Sequence, residues 1–198
     1  MIKKYVYNAF MFPIEFLAGP GKCRKHLIPM ASGKVIEVGP GTGANAGFYD
    51  WDSITELILA APEPDLYNLP EKKYKNVNVK YVNADVHSLP FQDRAFDTVV
   101  ATFLFCSVKE PLKGLREIAR VLKPGGKYLF MEHVMPSSSF AAGVVSFAAP
   151  CWKKISGGCC LDRNTEKTIL EAGFNAVSPC RFLKGFFIGG VAVVDGKI

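Results

Sequence analysis

Long apolar runs and secretory signals are both missing from this sequence. Pro, Gly, Lys or Asp interrupts every apolar stretch well before the ~20 residues that a membrane-spanning helix needs. The N-terminus also lacks an apolar segment followed by a small-residue cleavage site. The sequence therefore predicts neither a membrane span nor a signal peptide, and a cytoplasmic protein is expected.

Paired cysteine motifs are missing as well. Six cysteines occur, at Cys23, Cys106, Cys151, Cys159, Cys160 and Cys180, and no two are spaced as C-x-x-C. The spacing predicts neither a zinc site nor a thioredoxin-like redox motif, so no metal is expected. Reduced thiols acting as small apolar side chains are the default in such a chain.

Charged residues are scarce, at 21% of the chain, whereas apolar residues make up 49% of its 198 residues. A chain of this length and composition can bury one core rather than remain disordered. We therefore expect a single domain over residues 1–198.

The net charge of +6 is concentrated at the N-terminus, where six Lys or Arg residues face only Glu15 within residues 1–34 and give +5. This segment is also rich in aromatic residues and is expected to cap the domain. Two interpretations remain open: a cover over the active site with a solvated basic edge, or peripheral contact with an anionic membrane surface. Nucleic-acid binding is disfavoured, because the basic residues form no extended stripe.

Strand and helix patterns alternate along most of the chain, which is typical of an α/β fold. Apolar runs predict strands at residues 35–38, 54–60, 77–82, 96–101, 127–131, 176–178 and 187–194. Helices are predicted at residues 44–49, 112–122 and 165–172, and a Lys-Pro-Gly-Gly turn at 123–126 ends the second of them. Residues 137–160 break this rhythm and predict a lid-like, partly apolar insertion.

A glycine-rich turn follows the first predicted strand, with the sequence Gly39, Pro40, Gly41, Thr42 and Gly43. A backbone that bends sharply beside a ligand needs residues that tolerate positive φ and carry no Cβ. The N-terminus of a helix after this turn would favour a phosphate or the carboxylate of an amino acid. The same residues also satisfy the dinucleotide fingerprint G-x-G-x-x-A, so the turn by itself leaves two ligand classes open.

Two carboxylates and one turn favour a ligand with an amino-acid part over a dinucleotide. Glu37 ends an apolar strand, where a carboxylate is costly unless it faces a ligand such as an ammonium group or pairs with polar backbone. Asp85 follows the third predicted strand, at the rim where it can accept from an adenine amino group; a turn or helix cap is its structural alternative. The Lys-Pro-Gly-Gly turn then precedes the fifth strand at residues 123–126.

Together these motifs resemble the class I S-adenosylmethionine (SAM)-dependent methyltransferases, over residues 35–134. Residues 35–43 are similar to the first motif of that superfamily, residues 84–85 to its adenine-contacting position, and residues 119–126 to its turn before a strand. The resemblance implies a Rossmann-like, doubly wound seven-stranded sheet, mostly parallel with an antiparallel last strand. It also implies S-adenosyl-L-methionine as cofactor and S-adenosyl-L-homocysteine as product.

The resemblance further implies which residues hold the cofactor. The glycines would let the backbone pass the methionine moiety, and Glu37 would lie near its ammonium group. Asp85 and Val86 would hold adenine, while Thr102 and Phe103 would line the other side of the cofactor. The predicted binding residues are Glu37, Gly39, Pro40, Gly41, Thr42, Gly43, Glu63, Ala84, Asp85, Val86, Thr102 and Phe103.

One position departs from the family pattern. Members usually carry an acidic residue at the end of the second strand to bind the ribose hydroxyls, and Ala61 stands there in this chain. Glu63 takes over this role if the loop bends back; otherwise it is a solvated loop acid.

Residues 105–108 and 130–134 are similar to small methyltransferases that act on lipids, quinones or alkyl thiols. This implies a small lipophilic acceptor held beneath residues 1–34 and the insertion at 137–160. His133 is the first candidate for a catalytic base, because it follows the fifth strand and imidazole side chains commonly transfer protons near neutral pH. Glu132 is a comparable candidate.

Two alternatives remain from other functional classes. A non-catalytic SAM- or nucleotide-binding protein is favoured by Ala61, and a nicotinamide-dependent reductase is favoured by the G-x-G-x-x-A pattern.

Overall fold

A single mixed sheet organises the molecule. The computed structural model describes residues 19–62, 74, 77–136, 138–155, 158–182 and 185–194. Within these residues seven strands pair in the order β3-β2-β1-β4-β5-β7-β6. They are β1 (Gly33–Val38), β2 (Ile54–Ala61), β3 (Asn78–Asn83), β4 (Phe96–Thr102), β5 (Leu122–His133), β6 (Phe174–Phe182) and β7 (Phe187–Val194).

The first five strands are mutually parallel, and β7 runs antiparallel to both of its neighbours, β5 and β6. This arrangement confirms the predicted fold class. Because carboxyl ends of parallel strands meet at one edge, the residues that follow β1, β4 and β5 lie together there.

Both faces of the sheet are buried, as continuous apolar strands require. Ile36 and Val38 of β1 pack in one buried cluster, whereas Val35 packs in the other. Leu115 and Ile118 belong to the first cluster, and Leu27 belongs to the second. Helices therefore cover the sheet from both sides.

Four α-helices are described: α1 (Pro20–Leu27), α2 (Pro111–Val121), α3 (Ser139–Ile155) and α4 (Thr165–Glu171). Short 3-10 turns occupy Ile28–Met30 and Trp51–Ser53. The predicted helices at 112–122 and 165–172 are confirmed to within a residue at each end. Gly173 follows α4 with a φ of 98°, the left-handed conformation that commonly ends a helix.

The helix predicted at residues 44–49 was wrong. Successive four-residue turns occupy this stretch, with backbone hydrogen bonds from Ala46 N–H to the Gly43 carbonyl (3.0 Å) and from Phe48 N–H to the Asn45 carbonyl (2.9 Å). The side chain of Asn45 is also turned inward to buried partners.

The Lys-Pro-Gly-Gly stretch ends α2, but it does not form a separate turn. It lies inside β5, where the register with β4 shifts between Phe96 and Thr98. Gly125 takes a φ of 73° within this irregularity. The extra residues bulge from the ladder, and pairing then resumes at Lys127 opposite Thr98.

The predicted insertion at 137–160 contains the 17-residue helix α3, which its Ser, Ala and Gly content does not indicate. Pro150 lies inside it. Phe147 of this helix is 89% exposed and Val144 is 53% exposed, whereas Val145 is buried. Across the described part of the chain, no helix has the length and apolarity needed to cross a membrane.

Candidate cofactor site

The glycine turn follows β1 at the carboxyl edge of the sheet. Gly39, Gly41 and Gly43 all have positive φ, at 68°, 57° and 77°. Gly39 is also constrained sterically, because a Cβ at this position would lie 2.9 Å from Leu104 Cδ1. The turn therefore needs glycine both for its backbone angles and for the close approach of the loop after β4.

Glu37 is buried beneath this turn, with 1% of its surface exposed. Its Oε1 accepts a hydrogen bond from Asn45 Nδ2 (2.8 Å), and its Oε2 accepts one from the Tyr49 hydroxyl (2.7 Å). A carboxylate in an apolar strand is tolerated only with such partners. The two donors come from the irregular stretch for which the sequence predicts a helix.

Asn45 connects this carboxylate to two other elements. Its Nδ2 also donates to Thr102 Oγ1 at the end of β4 (3.0 Å), and its Oδ1 accepts from Arg24 Nε of α1 (2.9 Å). Asn45 and Arg24 are both almost fully buried. One amide thus joins α1, β1 and β4 around the glycine turn.

Sequence patterns do not reveal this network. In the sequence Arg24 belongs to a basic segment, and Asn45 and Tyr49 fall within a predicted helix. Only Glu37 could have indicated it from sequence, because a carboxylate buried in an apolar strand requires hydrogen-bond donors.

Phe103 begins the loop after β4 in the left-handed region, with a φ of 55° that is uncommon for an aromatic residue. Its N–H donates to the Met131 carbonyl of β5 (2.6 Å). The guanidinium of Arg24 lies over its ring, 5.4 Å from the centroid. Contacts from α1 and β5 hold this backbone in place.

Glu132 anchors the rest of that loop. The side chain is fully buried; Oε1 accepts from the N–H groups of Leu104 (3.1 Å) and Phe105 (2.8 Å), and Oε2 accepts from Cys106 N–H (2.9 Å). Burial raises the pKa of Glu132 to about 7, and the amide hydrogen bonds oppose that rise. Both oxygens are therefore engaged by backbone.

His133 is 4% exposed, and its ring packs against two aromatic rings that also contact each other, those of Phe103 (4.9 Å between centroids) and Phe187 (4.7 Å). Its Nδ1 lies 3.6 Å from Cys159 Sγ. The hydrogen bond with Cys159 and burial both raise the pKa of Cys106, whereas that same bond lowers the pKa of Cys159. The sequence predicts that Cys106 and Cys159 act only as small apolar side chains. In the structure, their thiols lie within 4.8 Å of the ring of His133, the candidate base.

The adenine end of the predicted site lies at the carboxyl end of β3. Ala84 and Val86 are buried, and the Asp85 side chain is 64% exposed. Asp85 Oδ1 accepts from the His87 N–H (2.8 Å) and lies 2.6 Å from His87 Nδ1. The backbone hydrogen bond from His87 lowers the pKa of Asp85, which stays ionised and caps this turn.

At the end of β2, Ala61 lies opposite Asn83 of β3. The Ala61 carbonyl accepts from Ala84 N–H (3.2 Å) and from the Tyr81 hydroxyl. Glu63, the predicted substitute for the ribose-binding acid, falls outside the described residues.

Comparison with known proteins agrees with this geometry. Residues 36–130 match the family model described as a methyltransferase domain. The chain is 37% identical over 156 residues to the human thiol S-methyltransferase TMT1B, a match that covers 74% of this chain and 63% of the human protein. Residues 36–130 are therefore a methyltransferase domain of the class I SAM-dependent type.

Two further methyltransferases are similar to this chain, one in sequence and one in fold. The match to the ubiquinone/menaquinone biosynthesis C-methyltransferase UbiE of Citrobacter koseri is 39% identical over 84 residues, covering 40% of this chain and 34% of that protein. A SAM-dependent methyltransferase from Aquifex aeolicus has the same fold, with a TM-score of 0.63 and 17% identity over 96% of this chain and 98% of its own. The matched region spans less than two thirds of the curated relatives named here.

The residues present fit the cofactor of this methyltransferase family, which is SAM. Gly41 lies in open space: a Cβ at this position would have the Gly39 carbonyl oxygen, 4.0 Å away, as its nearest neighbour, so a ligand can approach the backbone there. Thr102 and Phe103 lie beside the glycine turn through the Asn45 and Arg24 contacts.

Proposed function

We propose that this methyltransferase transfers the methyl group of SAM to a small lipophilic acceptor, with a hydrophobic thiol as the first candidate. The observation that supports SAM binding is the glycine turn at the carboxyl edge of the sheet. Its three glycines have positive φ, and they follow the buried Glu37, which accepts hydrogen bonds from Asn45 and Tyr49. The human relative is a thiol S-methyltransferase and the Citrobacter koseri relative a ubiquinone/menaquinone biosynthesis C-methyltransferase, which supports methylation of a thiol or a quinone-like ring.

The predicted binding residues keep their proposed roles. Gly39, Pro40, Gly41, Thr42 and Gly43 would pass the methionine moiety. Asp85, between buried Ala84 and Val86, would accept from adenine with the carboxylate oxygens that its turn keeps ionised. Because Glu37 is held by Asn45 and Tyr49, it would act on the ammonium group as a fixed negative charge.

When bound, SAM supplies a methyl group already activated on a sulfonium. The chain then has to orient an acceptor in line with the breaking carbon–sulfur bond and keep water out, which is worth roughly 7–11 kcal/mol in favourable intramolecular cases. For a thiol acceptor, the S–H proton passes to solvent, a new carbon–sulfur bond forms, and S-adenosylhomocysteine leaves. This chemistry needs no dedicated base.

The described contacts of Glu132 and His133 favour positioning roles. Glu132 uses both oxygens on the loop that carries Phe103 and Leu104, and His133 contacts Cys159 and two aromatic rings. A base function for either residue remains a prediction.

The lipophilic character of the acceptor rests on α3. This helix exposes Phe147 and Val144, and the chain that follows it returns to the site through Cys159. Exposed apolar residues on a helix beside a site suit an apolar acceptor or a membrane surface. We propose that α3 is the lid, that the protein works in the cytoplasm, and that the basic N-terminal segment allows peripheral membrane contact.

Incubation of the purified chain with methyl-labelled SAM tests the function. Hydrophobic alkyl thiols, hydroxyquinones, phospholipids, protein and nucleic acid are offered separately, and label is expected in the thiol product. Label transferred only to protein or nucleic acid would contradict the proposal. Binding of S-adenosylhomocysteine without turnover on any acceptor would support the non-catalytic alternative.

Substitution of Ala61 by aspartate is expected to tighten S-adenosylhomocysteine binding. The new carboxylate stands at the family's ribose-binding position, and a hydrogen bond to a charged group is worth about 1.5–3 kcal/mol, or roughly tenfold in affinity or more. Titration calorimetry measures the change in dissociation constant.

Thr55→Asp is the matched control, because it adds the same charge at an exposed position near the start of β2. Its affinity should equal that of the unmodified chain. If Ala61→Asp leaves affinity unchanged while Glu63→Ala lowers it, Glu63 already serves the ribose and the expected gain at Ala61 is wrong.

A further inference from the structure

Two thiols and one imidazole meet at the carboxyl edge of the sheet, beside Phe103 of the proposed cofactor site. They are the thiols of Cys106 and Cys159 and the imidazole of His133, and their ligand atoms all lie within 4.8 Å of one another. All three residues are buried, with 1%, 1% and 4% of their surfaces exposed. We propose that Cys106, His133 and Cys159 bind a zinc ion.

The separation of one donor pair matches that expected around a tetrahedral zinc ion. Zn–S bonds of about 2.3 Å and Zn–N bonds of about 2.05 Å at a tetrahedral angle place sulfur and nitrogen about 3.6 Å apart. Cys159 Sγ and His133 Nδ1 are separated by 3.6 Å. Zinc could thus bind with little movement of these two groups.

Contacts that need no metal already hold the three donors. Glu132 accepts from the Cys106 N–H, and the Cys160 N–H donates to the Cys106 carbonyl at 2.7 Å, which ties the two cysteine segments together. The rings of Phe103 and Phe187, which contact each other, both pack against the imidazole. A preorganised donor set binds a metal without the cost of ordering its ligands.

The donor chemistry selects the ion. Two thiolates and one imidazole suit zinc and exclude the oxygen-preferring magnesium and calcium ions. Coordination as thiolate releases the proton of each thiol to solvent. Three protein ligands leave a fourth tetrahedral position, which water or an exogenous thiolate fills.

The absence of C-x-x-C does not argue against this site. Its ligands come from the loop after β4, the end of β5 and the segment after α3, so their spacing in sequence is long. The site also stands independently of the proposed methyl acceptor, since its evidence is the donor geometry alone.

Metal content of an untagged full chain tests the proposal. After chelation and dialysis, zinc is added back and measured by mass spectrometry, and cobalt(II) is titrated into a second sample. We expect about one zinc per chain, together with the thiolate-to-cobalt charge-transfer and d–d bands of a tetrahedral site. Cys159→Ser should lose the stoichiometric zinc and the charge-transfer intensity.

Cys160→Ser is the matched control. Its sulfur lies next in sequence but donates to the Gly158 carbonyl, so this variant should bind zinc like the unmodified chain. Equal zinc loss in both variants, an octahedral cobalt spectrum without charge transfer, or a Cys106–Cys159 disulfide in place of bound zinc would overturn the proposal. The cobalt spectrum of the unmodified chain decides the matter even if Cys159→Ser fails to fold.

Discussion

Alanine at position 39 is expected to weaken S-adenosylhomocysteine binding by roughly tenfold or more. The backbone there has a φ of 68°, and a non-glycine residue held in that region costs about 1–3 kcal/mol. The new Cβ would also lie 2.9 Å from Leu104 Cδ1, so the end of the Leu104 side chain must move. Titration calorimetry gives the affinity, and urea unfolding gives the accompanying loss of stability.

Gly47→Ala is the matched control within the same loop. Gly47 lacks a positive φ, and a Cβ at this position would meet no heavy atom within 4 Å. This variant should bind S-adenosylhomocysteine like the unmodified chain. Equal losses in the two variants would show that the loop tolerates no substitution, and the specific strain argued for Gly39 would be wrong.

Glu132→Gln is expected to lower the free energy of unfolding by about 1–3 kcal/mol, and Glu132→Ala by more. Glutamine keeps one accepting oxygen but turns an NH₂ group toward a backbone N–H, and each buried donor left unpaired costs about 1–3 kcal/mol. Because the loop anchored by Glu132 carries Phe103 and Leu104, affinity for S-adenosylhomocysteine should fall as well. Urea unfolding and calorimetry provide the two measurements.

Glu110→Gln serves as the comparison, since Glu110 is exposed and makes no capping hydrogen bond at the start of α2. Glu110→Gln should change neither the free energy of unfolding nor the affinity for S-adenosylhomocysteine. A Glu132→Gln variant with unaltered stability and affinity but a much lower turnover number would instead assign Glu132 the catalytic role predicted from sequence.

The sheet could be predicted because its signals are local. Strands buried on both faces need continuous apolar runs, and such runs mark β1, β2 and β4 to within a residue or two at each end. The prediction of a helix at 44–49 was wrong because hydrogen bonds to distant residues outweigh the local sequence preference there. The side chains of Asn45 and Tyr49 point inward and donate hydrogen bonds to Glu37. The spacing of apolar residues in that stretch does not predict these bonds.

The insertion at 137–160 shows a second limit. Its Ser, Ala and Gly content and Pro150 indicate an irregular segment, yet α3 forms over Ser139–Ile155. Proline removes one backbone donor and disturbs one turn, whereas the remaining residues of a 17-residue helix keep their own hydrogen bonds. Composition alone therefore predicts an insertion but not its helix.

Local sequence was sufficient for the fold class, the glycine turn and membership of a SAM-dependent family, because strand burial and positive-φ glycines depend on near neighbours along the chain. Tertiary structure alone decided the partners of Glu37, the role of Glu132 as a loop anchor, and the meeting of Cys106, His133 and Cys159. These contacts join residues far apart in sequence, and they form only where the carboxyl ends of β1, β4 and β5 reach the same edge of the sheet.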